Sequence, residues 1–393
     1  MLVAIAAVTF SVMPAFMTGA LAVQMGAELG IDISTLGLLI GLFFTASAAA
    51  SPLMGRIVQR TGWQLGIRTA VVGSGIIMIC IALLARSPAS LSGLFPLGGM
   101  AAAVAQPAAN LAIARSVPNR RHGLMFGIKH AAVPIATMLG GLAVPTVALT
   151  VGWRWAFVAV SILAFATAAA VPRHVPPAIR TVRFGARSHS VPASPNRVLA
   201  LLAVGGAFGI GGINALAAFI VSYAVDIGIS ESKAGLLLAA GSFAGIITRV
   251  ASGWWVDRRS GAGLSSVALL MAVGALGMAS IATGGQLALI AGGLVAFAGG
   301  WGWSGLFTLS VVTANEAAPA AATGITQTGI FVGAAAGPPF LGLVADHYSF
   351  TVAWVSAAVG LTLATIVVWF LRPHLRPQPP HRDVHNPPAS PRT

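Results

Sequence analysis

Three ionisable side chains lie inside long apolar stretches of the sequence: Lys129, His130 and Arg249. A charged side chain in hydrocarbon costs about 2.5–3.5 kcal/mol on insertion scales, so it usually faces a cavity or a partner. Lys129 could attract an anion, with His130 as a titratable neighbour or hydrogen-bond donor. The alternatives are that Lys129 is neutral or reaches the membrane surface, and that His130 is a satisfied packing residue.

The surroundings of these residues indicate how they are held. Pro134 lacks a backbone N–H, so it leaves the carbonyl of His130 without its helical partner and bends the helix. Adjacent residues diverge by about 100° around a helix, so Lys129 and His130 need not share a face. Arg249 lies one turn before Gly253. We expect it to extend to the membrane surface or to brace the loop that follows, rather than to contact a substrate.

Uncharged polar side chains interrupt the other apolar stretches. These candidates for a substrate cavity are Gln106, Asn110, Asn214, Trp301, Trp303, Ser304 and Gln327. Hydrogen bonds between helices, or plain packing for the tryptophans, would explain them equally well. No Asp or Glu lies in the centre of any stretch, which disfavours a cationic substrate. Proton coupling would have to use His130, the substrate, or an acid near a helix end such as Asp346 or Glu316.

The elements that position these side chains follow from composition. Of 393 residues, 57% are hydrophobic and 8% are charged, whereas soluble domains carry about 25% charged residues. A helix needs about 20 apolar residues to cross the ~30 Å hydrocarbon core of a membrane. Twelve stretches qualify: 2–24, 34–54, 69–85, 91–114, 123–150, 153–171, 199–223, 234–254, 264–283, 287–312, 322–345 and 350–371. The sequence therefore predicts an all-α membrane protein with twelve transmembrane helices.

The charges predict an orientation. Of the 22 basic residues, 17 lie in the tail and in loops on the side of the N-terminus. Because cytoplasmic loops retain Lys and Arg, we expect both termini in the cytoplasm and the protein in the cytoplasmic (inner) membrane. The same distribution explains the net charge of +14 without any nucleic-acid partner. The single cysteine, Cys80, rules out a disulfide framework or a multi-cysteine metal site, and we expect no metal and no cofactor.

The chain divides into two similar halves. Segment 173–198 contains five arginines, four prolines and no acid, which is typical of a flexible linker. It separates a bundle over 1–172 from a second over 199–371, and a proline-rich tail occupies 372–393. Gly55 and Trp155 recur as Gly253 and Trp354, at a spacing near 200. Repeats of this size are typical of transporters that hold a substrate between two bundles.

Over essentially its whole length the chain resembles the major facilitator superfamily (MFS). The resemblance rests on the loop segments 55–62 (GRIVQRTG) and 253–261 (GWWVDRRSG), on 152–157 (GWRWAF), on Asn315-Glu316 and on the glycines and prolines of 333–342. It implies two pseudo-symmetric six-helix bundles with a small-molecule substrate between them. Segment 127–134 (GIKHAAVP) is similar to uncharacterised bacterial carriers near the cyanate and nitroimidazole group.

The loop segments suggest a conformational latch. Asp257 could accept hydrogen bonds from the start of the fifth span, close to Arg120 and Arg121, because the helix dipole favours an anion there. The alternative is a solvated loop acid. We group as gating residues Gly55, Arg60, Gly62, Arg120, Arg121, Arg249, Gly253, Asp257 and Arg258.

These features predict a monomeric secondary active transporter that works by alternating access. Its substrate is expected to be a small organic solute, an anion in view of Lys129. A proton-coupled drug exporter is the alternative, although Ala132-Val133-Pro134 stands where such exporters usually have a glycine–proline motif. A non-transporting membrane receptor or sensor would be expected to carry a soluble domain. An enzyme is not expected, since neither H-E-x-x-H nor G-x-S-x-G occurs.

Overall fold

A computed structural model describes residues 2–116, 127–172, 194–258, 263–315 and 318–375, and these are helical apart from short turns. Twelve helices are long and apolar enough to cross a membrane. They are α1 (Leu2–Ala20), α2 (Ile33–Thr61), α3 (Trp63–Leu84), α4 (Pro88–Ser116), α5 (Gly127–Val151), α6 (Trp153–Ala170), α7 (Asn196–Asp226), α8 (Glu231–Arg258), α9 (Leu264–Ala282), α10 (Gln286–Ala314), α11 (Pro319–His347) and α12 (Phe350–Leu371). The predicted all-α fold with twelve spans is confirmed.

Three helices depart in detail from the predicted stretches. After a turn at Leu21, α1 continues as the short helix Ala22–Leu29. Within α5, a π-helical turn occupies Val144–Ala148. Helix α7 begins at Asn196, inside the segment predicted as a linker, and most of that segment (173–193) lies outside the described residues.

Specific residues set several helix ends. Asp32 caps α2 by accepting a hydrogen bond from the backbone N–H of Thr35 at 2.7 Å. Gly62 separates α2 from α3 with a φ of +91°, a backbone conformation that favours glycine. Ser349 caps α12 by accepting from the N–H of Val352 at 3.2 Å. The second glycine of segment 55–62 is thus required by the turn it makes.

The helices form two bundles with the same neighbour pattern. In the first bundle α4 packs against α2 and α3, α3 packs against α6, and α1 packs against α5. In the second bundle α10 packs against α8 and α9, α9 packs against α12, and α7 packs against α11. Between the bundles α2 meets α11 and α5 meets α8, which is again a symmetric pair. The relation explains why the sequence repeats at a spacing near 200.

Glycines let the two bundles meet backbone to backbone. A Cβ placed on Gly141 of α5 would lie 2.5 Å from the carbonyl oxygen of Gly235 in α8, and one on Gly235 would lie 2.6 Å from that of Gly141. Gly37 of α2 leaves equally little space against Pro338 of α11. Lipid supplies no hydrophobic drive between helices, so close packing of small residues must hold them together.

The two ends of the molecule differ in charge. We call the end where α1 begins the basic side, and its described helix ends carry Arg56, Arg60, Arg68, Arg258 and Arg372. The opposite end, the acidic side, carries Glu28, Asp32, Asp226, Glu231 and Asp346.

Polar contacts join the bundles on the acidic side. Gln24 donates a hydrogen bond to Glu231, and the backbone N–H of Ser34 donates to Asp346 at 2.7 Å. Gly324 and Thr328 share a face of α11 with Ala335 and Pro339, which meet Gly41 of α2. A Cβ on Gly324 would meet no atom within 4 Å, and Thr328 is exposed. Along this face α11 therefore contacts α2 near the acidic side and is open at these two residues toward the basic side.

Candidate substrate site between the bundles

Arg249 connects three helices from a buried position. Its side chain is 3% exposed. Its Nε donates to the carbonyl oxygen of Trp301 in α10, and Nη2 donates to Ser304 Oγ at 2.9 Å. Nη1 donates to the carbonyl oxygen of His130 in α5, which belongs to the other bundle. The guanidinium carbon also lies 5.0 Å from the centre of the Trp301 ring. Arg249 thus ties α8 and α10 to α5.

The acceptor in α5 exists because of Pro134. That proline has no N–H to donate to the carbonyl of His130, as the sequence predicted. Arg249 donates a hydrogen bond to this carbonyl instead. Helical hydrogen bonding resumes at once, since the N–H of Ile135 donates to Ala131 at 2.9 Å. A proline in one bundle therefore creates the acceptor that an arginine of the other bundle uses.

The expectation that Arg249 reaches the membrane surface or braces segment 253–261 is wrong. Its guanidinium points to α10 and α5. Gly127 explains the geometry, because a Cβ there would lie 2.6 Å from the carbonyl oxygen of Arg249. Since α5 approaches α8 so closely, its free carbonyl is within reach, and turning outward would forfeit all three hydrogen bonds.

Positive charge accumulates here without a carboxylate. Arg249 forms no ion pair within the described ranges, and its three known acceptors are neutral. A guanidinium has five N–H groups, so two have no acceptor among the residues that the structure describes. Lys129 is only 8% exposed and has no hydrogen bond or ion pair with any residue that the structure describes. It shares a face of α5 with Gly140, which touches Met17 of α1. Lys129 therefore faces α1, whereas Arg249 reaches α5 from α8.

Aromatic rings surround the cluster. Trp301 makes an edge contact with Phe16 of α1, at 6.2 Å between ring centres, and Phe16 makes another with Phe44 of α2 at 6.1 Å. The ring centre of Phe43 lies 5.3 Å from that of Phe44, so this set of aromatic contacts extends into the first bundle. Trp301 was among the predicted cavity residues, whereas Phe16 and Phe44 were not. The sequence does not show which neighbouring helix an aromatic residue in an apolar stretch will face.

Other predicted cavity residues lie close to this cluster. Thr308 donates to the carbonyl oxygen of Ser304 at 3.1 Å, and Gln327 of α11 donates to Thr308 Oγ1 at 3.4 Å. Asn214 is 3% exposed and lies three residues before Ala217, whose carbonyl faces Gly19 of α1. Residues three apart share a helix face. Ser304, Gln327 and Asn214 therefore belong to the interior where the bundles meet.

Three predicted residues do not join the cluster. In α4, Gln106 is half-buried and Asn110 is exposed, and neither side chain bonds to a described residue. Trp303 points away from the interface: a Cβ on Gly209 of α7 would lie 2.8 Å from its ring, and Met271 of α9 lies beside them. Trp303 is a packing residue of the second bundle, whereas Trp301 faces the first.

The latch can be followed only in part. Gly253 is buried in α8, Asp257 is exposed, and the guanidinium of Arg258 lies 3.9 Å above the Trp254 ring. Gly55 is half-buried, and a Cβ placed on it would lie 3.9 Å from the ring of Pro107. Arg60 is exposed. Arg120 and Arg121 lie outside the described residues. The contact of Asp257 with the start of α5 stays a prediction.

Segment 152–157 has a structural role on the acidic side. Glu28 accepts from Trp153 Nε1 at 2.7 Å and forms a salt bridge with Arg154 at 2.5 Å. Arg154 also donates to the carbonyl oxygen of Ala85 at 2.8 Å. The Trp153 hydrogen bond and then Arg154 hold the pKa of Glu28 below its ordinary value. These contacts tie α6 to the helix after α1 and to the end of α3.

Comparison with known proteins agrees with this architecture. The family model described as Major Facilitator Superfamily matches residues 3–328 and 202–392. The chain belongs to the major facilitator superfamily. One similar solved structure of this fold is that of a bacterial homolog to the human lysosomal transporter Spinster, in an inward-facing and occupied conformation. The TM-score is 0.71 at 16% identity, over 94% of this chain and 95% of that one. No curated protein matches the sequence.

Membership of this superfamily and the twelve apolar helices identify a multi-pass membrane protein of a transporter family. Its superfamily binds small-molecule substrates within the membrane. The cluster around Arg249 lies where α5, α8 and α10 meet between the two bundles.

Proposed function

We propose that this MFS protein is a secondary active transporter of a small organic anion, which binds between the bundles and is moved by alternating access. Support comes above all from Arg249, a buried cation that has only neutral acceptors among the described residues. Lys129 and Ser304 complete the proposed binding site, with Trp301, Asn214 and Gln327 beside it. The carbonyl oxygen of His130 contributes indirectly, because it accepts a hydrogen bond that holds Arg249 in place.

The charge argument favours an anion over other solutes. Burying an ion costs several kcal/mol unless a partner compensates for it. Arg249 and Lys129 are both buried, and the described acids lie near helix ends or in the loops between helices. An anionic substrate would supply the missing negative charge. A lipophilic cation, the usual cargo of a drug exporter, would be repelled by the same pair.

The arrangement of the bundles fits alternating access. Their contacts on the acidic side would form the closed gate, and the separation of α2 from α11 would open the basic side. We assign the basic side to the cytoplasm by its arginines. The protein would then lie in the cytoplasmic membrane as a monomer with both termini inside. The narrower resemblance to carriers near the cyanate and nitroimidazole group stays a prediction.

Uptake into proteoliposomes tests this function. Purified protein is supplied with small monocarboxylates or lipophilic cations, with and without a pH gradient, which also shows whether protons are coupled. We expect uptake of an anion, and about tenfold weaker apparent affinity in Lys129→Gln, because one favourable charge contact of ~1.4 kcal/mol is lost. Lys233→Gln is the matched control, since Lys233 is exposed on the acidic side. Preference for cations, or equal anion uptake by Lys129→Gln and wild type, would exclude the proposal.

A further inference from the structure

Two buried polar groups near Arg249 have no hydrogen-bond partner in the described part of the chain. They are the indole Nε1 of Trp301, whose side chain is 1% exposed, and the hydroxyl of Ser242 in α8, which is fully buried. Buried polar groups are almost always hydrogen-bonded, and no water is available in a bilayer core to replace a missing partner. Two such groups beside a buried cation that has only neutral acceptors among the described residues point to a ligand.

Both groups lie around the same glycine. Ser242, Gly245 and Arg249 are spaced three and four residues apart, so they share one face of α8. A Cβ on Gly245 would lie 2.9 Å from Trp301 Cδ1, the ring atom bonded to Nε1. The indole edge therefore rests on α8 between the hydroxyl and the guanidinium. Ser242, the indole edge and Arg249 therefore lie along one face of α8.

We propose that Trp301 Nε1 and Ser242 Oγ form a second contact point that selects the substrate. This inference rests on the proposed function, in which Arg249 and Lys129 hold the anionic group. An indole N–H only donates, so the matching substrate atom is a hydrogen-bond acceptor. The guanidinium carbon is 5.0 Å from the Trp301 ring centre, so acceptor and carboxylate are a few bonds apart. The substrate class is a short carboxylate with a carbonyl or ether oxygen near its other end.

The molecule offers matched control positions. Trp303 Nε1 and Ser74 Oγ are also buried without a partner in the described ranges, but they lie away from the cluster. Trp303 packs against Gly209 inside the second bundle, and Ser74 lies in α3 of the first. Trp301→Phe and Ser242→Ala remove the proposed donors, the first keeping an aromatic ring and the second nearly the same shape. Trp303→Phe and Ser74→Ala make the same chemical changes elsewhere.

The test compares two acids of similar size, 4-oxopentanoate and pentanoate, as substrates of the full-length protein in proteoliposomes. We expect wild type to prefer the oxo acid about tenfold, because sites built to hydrogen-bond a substrate reject analogues that lack the matching atom. Trp301→Phe and Ser242→Ala should each reduce that preference to about threefold or less by weakening uptake of the oxo acid alone. Trp303→Phe and Ser74→Ala should keep it.

The outcomes separate this inference from the function it rests on. Anion uptake without preference for the oxo acid, including uptake that excludes both acids, overturns the second contact point and leaves the transporter proposal intact. A preference that survives in Trp301→Phe and Ser242→Ala overturns it as well. If no anion is moved, the proposed function fails and the inference fails with it.

Discussion

Arg154 and Arg249 make similar contacts in two different regions of the molecule. Each guanidinium lies near a tryptophan ring, at 4.2 Å for Arg154 over Trp153 and 5.0 Å for Arg249 over Trp301. Each also donates to a backbone carbonyl. Arg154 lies on the acidic side, where Glu28 neutralises it. Arg249 is buried between the bundles and has neutral acceptors only within the described ranges.

The difference shows how the same residue type serves two purposes. An exposed ion pair gains little, about 0–1 kcal/mol, because water screens it. A buried arginine without a carboxylate is costly to keep, and inside a membrane such residues mark substrate or ion pathways. Arg154 thus connects helices, whereas Arg249 both connects helices and leaves charge for a ligand.

The largest effect should separate the two arginines directly. Arg249→Gln is expected to reduce anion uptake at low substrate concentration by roughly 100-fold, because the bound anion would lose its charged partner, a loss of about 3 kcal/mol. Arg154→Gln should change uptake by less than about twofold. Initial rates in proteoliposomes measure both, after gel filtration shows that each variant is monodisperse. Equal losses in the two variants would mean that Arg249 is only another helix connector.

Arg249→Lys sharpens the comparison by keeping the charge. Lysine cannot present a planar fork of donors, so it cannot reach Trp301, Ser304 and His130 at once. We expect anion selectivity to persist with a roughly tenfold lower rate, because the bundles lose their connection while the charge remains. The measurement is the ratio of anion to cation uptake. Loss of selectivity would show that geometry rather than charge determines it.

A smaller effect is expected from Ser304→Ala. This change removes the acceptor 2.9 Å from Arg249 Nη2 and leaves the two carbonyl acceptors in place. A single lost hydrogen bond to a charged group is worth about 1.5–3 kcal/mol, part of which the freed N–H recovers by binding substrate more tightly. The apparent affinity should therefore fall less than in Lys129→Gln. A larger fall would identify Ser304 as a direct substrate ligand.

The smallest effect should come from Glu28→Gln and should depend on pH. Because the folded protein lowers the pKa of Glu28, the carboxylate contributes stability above its ordinary pKa of 4.5, and this contribution disappears as the pH falls through the lower folded value. The difference in Tm between wild type and Glu28→Gln in detergent should be small at pH 7 and should shrink as the pH falls below 4.5. A difference that grows in acid would have the wrong sign for a stabilising carboxylate.

Much of the fold could be read from the sequence. Apolar length predicted all twelve spans, and Pro134 predicted an unoccupied carbonyl at His130. The site was harder to predict. The sequence favours a surface or loop-bracing role for Arg249, because its distance to Gly253 along the chain says nothing about the helix opposite. Phe16 and Ser242 were missed because one aromatic and one serine in apolar stretches look like packing residues. Asn110 was predicted to line the cavity because it is four residues from Gln106 and shares its helix face, yet its side chain is exposed.

The sequence by itself determined that the chain crosses a membrane twelve times in two related halves, since hydrophobic length, charge distribution and repeat spacing are local properties of the chain. Only the tertiary structure decided which polar groups meet. The contact between Arg249 and His130 spans 119 residues and two bundles, and it depends on Gly127 letting two backbones approach. Distances of that kind arise from packing between helices, which no single helix encodes.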